Sequence, residues 1–506
     1  MPDGPPLLLP DDVWNRALLA ATHPVDHRNP APAGRYHLVV VGAGTAGLVA
    51  AAGAAGLGAR VALVERHLMG GDCLNYGCVP SKALLGAAHA AHAQQAQARL
   101  GTGQAGAAEA DFAAAMTRLR RLRAAIAPHD AVERFTGLGV DVFLGAARFV
   151  APDAVEVAGA RLPFTRAVVA TGARASVPPV PGLAEAGFRT NDTLWELTAR
   201  PPRVAVLGAG PIGCEIGQAL RRLGSAVTIV SLDPRVLPRD DEHAASVVGA
   251  ALEADGVALA LGATVTGVRR TSSGREVGFD RGRGDERVEV DEIVVATGRT
   301  PNVEGLGLEA AGVAASDEGV VVDDFLRTTN RRVYAAGDVC SAFRFTHAAD
   351  AAARLVIQNA LFFGRKRASR LVIPWCTYTD PELAHVGMSG AEAQAREGAV
   401  VSIRVDFADV DRAVLDGRTD GFVELRIEAR TGRIAGATVV GSGAGDLIGD
   451  VSLAMTAGVT ADQLSAAIRP YPTRGEALKK VGDAWRRRKL TPTARRLLTG
   501  VLRLRK

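Results

Sequence analysis

Two glycine-rich turns constrain this chain more than any other feature. Gly42-Ala-Gly44-Thr-Ala-Gly47 follows the apolar run Tyr36 to Val41, and Gly208-Ala-Gly210-Pro-Ile-Gly213 follows Val204 to Leu207. In each case a helical segment leaves the turn. A strand, a turn of this spacing and a helix together form a seat for a dinucleotide pyrophosphate. The first glycine makes the bend, the second lets the backbone approach the phosphates, and the third lets the helix pack on the strand. Glu65 stands eighteen residues past Gly47, at the end of the apolar run from Arg60, where it can accept hydrogen bonds from a ribose. Ser231 stands eighteen residues past Gly213. Without a carboxylate there, discrimination against a 2′-phosphate is lost, and Arg235 and Arg239 follow closely. The second site therefore leans toward NADPH, with NADH left open.

The repeat extends beyond the turns. Val-Val-Ala-Thr-Gly occurs at 168–172 and again at 294–298. Two halves, each with a phosphate turn and a later Ala-Thr-Gly turn, predict two dinucleotide-binding domains. From about residue 371 the pattern changes to strands (Gly421 to Ile427, Ile434 to Val440) alternating with helices (Asp446 to Ala457, Thr460 to Ala467), a separate α+β domain. The expected organisation is an N-terminal arm over 1–34, a first dinucleotide domain over 35–175 and 300–368, a second dinucleotide domain over 176–299, a third domain over 369–482 and a tail over 483–506. Two alanine-rich helices, 81–99 and 109–135, joined by Gly101 to Gly106, make a helical insertion over 81–137 in the first domain.

Composition narrows the class. With 48% hydrophobic and 22% charged residues the chain reads as globular, and five cysteines in 506 residues do not make a secreted disulfide framework. The start, Met-Pro-Asp-Gly-Pro-Pro, lacks the basic segment of a signal peptide. The longest apolar stretch, Ala46 to Val64, contains Arg60 and four glycines and reads as a βα unit rather than a membrane span. A reducing cytoplasm is the expected compartment. Nine basic residues and no acid fall within 485–506, so a formal net charge of +5 becomes −4 for the rest of the chain. That argues against nucleic-acid binding by the body. In the tail, Leu497, Val501 and Leu504 share a helical face with arginines beside them, the pattern of a helix on an anionic membrane surface, of a solvated tail, or of a helix packed on an acidic patch of a dimer.

Cys73 and Cys78 lie in Gly-Gly-Asp-Cys-Leu-Asn-Tyr-Gly-Cys-Val-Pro-Ser-Lys, 70–82. A regular helix would hold Cα atoms five residues apart at about 7.5 Å. A disulfide needs them within roughly 6.8 Å. A bond between them therefore requires a distorted backbone, which Gly77 would permit. Taken alone, the spacing reads by default as two buried structural cysteines. Cys214, Cys340 and Cys376 lie outside this run and read as packing residues. No metal-ligand set is read from the sequence.

These residues carry a resemblance. Residues 36–480 resemble the class I pyridine nucleotide–disulfide oxidoreductases, the flavoprotein family of dihydrolipoyl dehydrogenase, glutathione reductase and mercuric reductase. The run at 70–82 is the most specific element, supported by Ala-Thr-Gly-Arg-Thr-Pro-Asn (296–302) and Tyr-Ala-Ala-Gly-Asp (334–338). The resemblance implies an α/β fold of two Rossmann-like domains, one for FAD and one for NAD(P), with a C-terminal α+β dimerisation domain in a homodimer. It implies that Cys78 faces the flavin as a thiolate, that Cys73 is the thiol that meets the acceptor, and that Lys82 sits near the flavin paired with Glu215. It places Gly71, Thr171, Gly172, Asp338 and the helix after His347 at the FAD, and Gly298 with the second turn at the NAD(P). Members that act on disulfides carry His-Pro-Thr-x-x-Glu, whose histidine protonates the leaving thiolate in the other subunit. Here the run is Tyr471-Pro-Thr-Arg-Gly-Glu476. A phenol ionises near 10, against about 6.5 for imidazole, so Tyr471 is a poor proton shuttle but can donate a hydrogen bond, with Glu476 as its partner.

A tyrosine at this position resembles mercuric reductase, but no cysteine follows Cys376, so the C-terminal vicinal pair of that enzyme is missing. The reading is an NAD(P)H-dependent flavoenzyme whose dithiol serves a disulfide or a thiol-reactive metal. The alternatives are a diaphorase or quinone reductase that uses the flavin directly, and a flavoprotein docked to a membrane or partner through its tail.

Overall fold

The structure, a computed structural model, describes residues 6–95 and 111–505. The linker Gly101 to Gly106 and the expected end of the first inserted helix lie outside the described residues. The first domain is built on a parallel sheet. Its strands are β1 (Tyr36–Val41), β2 (Val61–Glu65), β3 (Val140–Leu144) and β6 (Ala160–Val169) in the order β3-β2-β1-β6, with β4 (Ala147–Ala151) and β5 (Ala154–Val157) added antiparallel beside β6. β1 and β2 are valine-rich and almost wholly buried, as parallel strands covered on both faces must be. Helix α2 (Thr45–Gly56) follows the first glycine turn.

The second domain repeats the plan with β7 (Arg203–Leu207), α7 (Pro211–Arg222), β8 (Ala226–Ser231), β9 (Ala258–Leu261) and β13 (Glu292–Val295) in the parallel order β9-β8-β7-β13. A three-stranded antiparallel sheet of β10 (Thr264–Thr271), β11 (Gly274–Asp280) and β12 (Asp285–Val290) sits between β9 and β13 in sequence. The chain then returns to the first sheet, where β14 (Val333–Ala335) pairs in parallel with β6. Helix α9 (Thr346–Leu361) packs on α2. The third domain is a five-stranded antiparallel sheet, Pro374–Thr377, Glu382–Gly387, Ile434–Gly441, Phe422–Glu428 and Val400–Asp406 in that spatial order. Helices Ala444–Ala457 and Glu476–Arg488 pack against it.

The two turns are geometric copies. Gly42 and Gly208 have φ of 104° and 108°. A Cβ on Gly47 would lie 1.8 Å from the Gly42 carbonyl oxygen, and one on Gly213 would lie 1.9 Å from that of Gly208. The third glycine of each turn is therefore required by a backbone contact that no side chain can share.

Two expectations are corrected. Residues 1–34 are more than an arm: Val13–Thr22 form helix α1, capped by Asp12, which accepts from the amides of Trp14 and Asn15 at 3.0 and 2.8 Å. Leu18 is fully buried with Leu74 and Ala127, so α1 packs on the cysteine-bearing segment. The second inserted helix is not continuous to 135. It runs as α5 (Phe112–Ile126), passes into a 3-10 turn at Ala127–Asp130, and resumes as α6 (Val132–Gly137). Pro128 accounts for the break, since it has no N–H for a helical bond.

Candidate active site

The two cysteines belong to different helices. Cys73 lies in the short α3 (Gly71–Asn75) and Cys78 is the first residue of α4 (Cys78–Gln95). The distortion expected from spacing is thus a helix break at Tyr76-Gly77. Gly77 is needed for close approach rather than for an unusual φ: a Cβ there would lie 2.7 Å from the Asp72 carboxylate, and its amide donates to the Asp72 carbonyl at 2.6 Å. Asp72 is held in turn by Asn191 at 3.0 Å and Arg299 at 3.3 Å. Both thiols are free, Cys78 open to solvent and Cys73 half-buried.

Cys78 Sγ lies 3.2 Å from Thr346 Oγ1, and Thr346 is the first residue of α9. Two helix N-termini, of eighteen and sixteen residues, therefore converge on one sulfur. A hydrogen bond from Cys73, another from Thr346 and the charge of Lys82 bring the Cys78 thiol down to about 6. Cys73 moves up, because its proton is held by Cys78 and because it is buried. Lys82 Nζ makes a 2.7 Å ion pair with Glu215 Oε2. The other Glu215 oxygen accepts from the Tyr378 amide at 2.9 Å, and Lys82 lies 4.5 Å from the centre of the Tyr378 ring. The fold thus gathers Cys73, Cys78, Lys82 and Glu215, and adds Thr346, Tyr378 and Asp72, which the sequence did not single out. Thr346 is 268 residues from Cys78 and carries no spacing signal.

Around the first turn, Glu65 is buried and accepts from the amides of Ala43 and His67, each at 2.7 Å. Burial pushes its carboxyl up while these amides pull it down. Gly71 has φ of 57°, and a Cβ there would lie 2.5 Å from Gly44 Cα, so the cysteine segment rests directly on the phosphate turn. Thr171 and Gly172 are clamped to the second motif: Thr171 Oγ1 donates to the Asn302 carbonyl at 2.7 Å and the Asn302 amide donates to Gly172 at 3.0 Å. Asp338 lies 3.4 Å from Arg299, and burial raises its carboxyl.

The description "Pyridine nucleotide-disulphide oxidoreductase" matches residues 36–353, and its dimerisation domain matches residues 373–481. The chain belongs to the pyridine nucleotide-disulphide oxidoreductases. It is 34% identical over 445 residues to a mercuric reductase of Lysinibacillus sphaericus, covering 88% of this chain and 81% of that one. It is 33% identical over 467 residues to a dihydrolipoyl dehydrogenase of Thermus scotoductus, covering 89% and 97%. Among solved structures it is similar to the HOCl-induced flavoprotein disulfide reductase RclA of Escherichia coli (TM-score 0.78, 28% identity, 88% and 98% covered) and to LpdA of Mycobacterium tuberculosis (0.81, 26%, 88% and 99%). Like its family, this oxidoreductase is an FAD enzyme of the disulfide reductase type that takes electrons from NAD(P)H, and its dimerisation domain makes it a homodimer.

The residues present fit both cofactors. A Cβ on Gly44 would come no nearer than 3.7 Å to anything, and one on Gly210 would meet nothing within 4 Å. Each turn therefore leaves open the side from which a pyrophosphate approaches, while Gly47 and Gly213 are closed. Gly298, with φ of 134°, is similarly open, its nearest neighbour being Ser176 at 4.0 Å. Glu65 keeps acceptor positions beyond its two amides for a ribose.

The second site differs from expectation in one respect. Ser231 is buried, and its hydroxyl accepts from the Asp233 amide at 3.3 Å, with the Asp233 carboxylate at 3.5 Å. Arg235 spends both arms of its guanidinium inside its own turn, on the carbonyls of Asp240 and Pro238 at 2.9 and 2.8 Å. Arg239 lines a cavity of about 380 Å³ with Asp241, Trp375 and His385. Arg235 is therefore engaged within its own turn, and a carboxylate lies beside Ser231.

Tyr471 and Glu476 are not among the described contacts of Cys73 and Cys78 within one chain. Tyr471 is 71% exposed on the third domain, and its hydroxyl donates to Asp411 at 2.8 Å, not to Glu476. Asp411 raises the phenol above its ordinary value. Glu476 has one oxygen 3.7 Å from Lys480, and its other is buried without a hydrogen bond among the described residues. His347 Nε2 lies 2.6 Å from the Pro374 carbonyl, with its ring stacked on Phe345.

Proposed function

We propose that Cys73 and Cys78 are the working dithiol of this enzyme, that Cys78 is the resting thiolate, and that Cys73 passes electrons to a soft, thiol-binding metal ion or a small disulfide. The observation that carries the reading is the asymmetry of the pair: two helix N-termini and Lys82 favour the anion on Cys78, while Cys73 holds its proton. The flavin supplies two-electron transfer between nicotinamide and dithiol. Reduction of the Cys73–Cys78 bond takes two electrons and one proton and leaves a thiol at Cys73 and a thiolate at Cys78. The overall balance with a disulfide is NAD(P)H + H⁺ + RSSR giving NAD(P)⁺ + 2 RSH. With a divalent metal ion it is NAD(P)H + M²⁺ giving NAD(P)⁺ + H⁺ + M⁰.

Tyr471 favours the metal. A disulfide needs a proton delivered to its leaving thiolate, and a phenol raised by Asp411 delivers one poorly. Metal reduction releases a proton instead. The mercuric reductases among the relatives point the same way. Residues 485–506 add a contact with an anionic membrane surface to the partners.

Alkylation of the reduced enzyme by iodoacetamide tests the asymmetry. The thiolate is the nucleophile, so the rate should rise as pH passes about 6, be lost below it, and vanish in Cys78→Ser. In Lys82→Met the midpoint should rise by roughly one unit, because an opposite charge nearby is removed. A midpoint in the ordinary thiol range in the wild-type enzyme would refute the reading.

We also propose that NADH serves at least as well as NADPH, since a 2′-phosphate would face Asp233. Asp233→Ala should shift the ratio of kcat/KM toward NADPH by roughly three- to tenfold, the scale of one screened charge pair. An unchanged ratio would remove Asp233 from the choice.

A further inference from the structure

The C-terminal segment forms a helix, α12 (Pro492–Leu504), that begins after the end of the family match at residue 481. Thr491 caps it, accepting from the Ala494 amide at 3.2 Å, and Pro492 stands in its first turn. None of its residues is buried, and Leu497, Leu498, Val501, Leu502 and Leu504 are all more than half exposed. At about 100° per residue, Ala494 and these five fall within an arc of about 160°. Arg495, Arg496, Thr499 and Arg503 occupy the opposite side. Among the described residues no carboxylate pairs with those three arginines, whereas Lys489, just before the helix, is held by Asp462 at 2.6 Å. The body of the protein, net negative, thus leaves this cationic helix unpaired.

We propose that α12 lies in the plane of an anionic phospholipid surface, its Leu/Val face in the acyl boundary and its arginines on lipid phosphates. The inference rests on the tail contact named above and adds the bounds of the helix that makes it, its full apolar arc and its orientation in the lipid plane. Thirteen residues span about 20 Å, far short of a bilayer but enough to lie along one. Arg495, at the edge of the apolar arc beside Leu502, can reach up to a phosphate while its stem stays apolar. The charge and the apolar arc are needed together: no acid occurs from 485 to 506, so an anionic surface meets no repulsion. Two alternatives fit less well. A second α12 seated face to face would cover the apolar arc but leave the arginines, on the opposite side, without any counter-charge. A protein groove is usually filled by a few aromatic or other large anchors, and this face holds only alanine, leucine and valine.

The test is co-sedimentation of the flavin-loaded enzyme with phosphatidylcholine vesicles, with and without phosphatidylglycerol. The variants are truncation after Leu490, Leu497→Asp/Val501→Asp, and Arg495→Glu/Arg496→Glu/Arg503→Glu. All of these substitutions are at exposed positions, and flavin content and turnover with a small disulfide should stay at wild-type level. The wild type should bind phosphatidylglycerol vesicles, less so as salt rises, and each variant should bind at least about tenfold more weakly. A wild type that binds no vesicle overturns both the tail contact and this assignment, and leaves an acidic protein as the partner to seek. Binding that survives truncation or the Leu/Val substitutions overturns the assignment to α12 while leaving a membrane contact elsewhere. Equal binding to pure phosphatidylcholine overturns the anionic requirement.

Discussion

Replacing Cys78 by serine is expected to lower kcat/KM for a soft metal ion or small disulfide by at least about a thousandfold. An alcohol cannot hold the negative charge that Thr346, Lys82 and the N-termini of α4 and α9 are arranged to stabilise. The same variant should keep its flavin, because Cys78 is no part of the phosphate turn, and should still reduce an artificial dye with NAD(P)H. Steady-state assays with the two kinds of acceptor separate the outcomes. If turnover with the metal or disulfide survives the substitution, the dithiol is a bystander and electrons leave from the flavin directly.

The second large effect concerns the turns. Gly47→Ala should lose most of its bound flavin, whereas Gly213→Ala should keep the flavin and lose the dinucleotide. In each case the added methyl would sit less than 2 Å from a backbone oxygen, at 1.8 and 1.9 Å. Backbone cannot rotate away as a side chain can. The turn itself must open, at a cost of about 1–3 kcal/mol or more, and its amides then miss the pyrophosphate. Flavin absorbance of the purified variants and the KM for NADH measure the two losses. A Gly213→Ala protein without flavin would contradict the division of labour between the two turns.

The second of these predictions draws on what was legible in the sequence. The glycine turns could be read because their function is local: a bend, a close approach and a packed helix are fixed by neighbours in sequence, and the structure reproduces the same geometry twice. The pairing of Lys82 with Glu215, 133 residues apart, was available only through the family resemblance, and the structure places the two at 2.7 Å. The α1 helix was missed for a different reason. Its sequence, Val-Trp-Asn-Arg-Ala-Leu-Leu-Ala-Ala-Thr, is unremarkable between proline-rich flanks, and it gains its place by burying Leu18 beside Leu74. The orientation of Arg235 was not legible either, because charge and proximity in sequence do not say which way a guanidinium points, and its own turn offered two carbonyls.

By itself the sequence determined a protein of two dinucleotide-binding units and a third domain, with two cysteines five residues apart. Those features follow from contacts between near neighbours, which a motif encodes directly. The tertiary structure decided what physically sets the two cysteines apart. Cys78 opens α4, and α9 delivers Thr346 to the same sulfur from 268 residues along the chain. A charge is stabilised by every dipole and cation that surrounds it, and those come from segments the sequence keeps far apart. It also decided that Tyr471 answers to Asp411, sixty residues away, and that α12 keeps its apolar face uncovered.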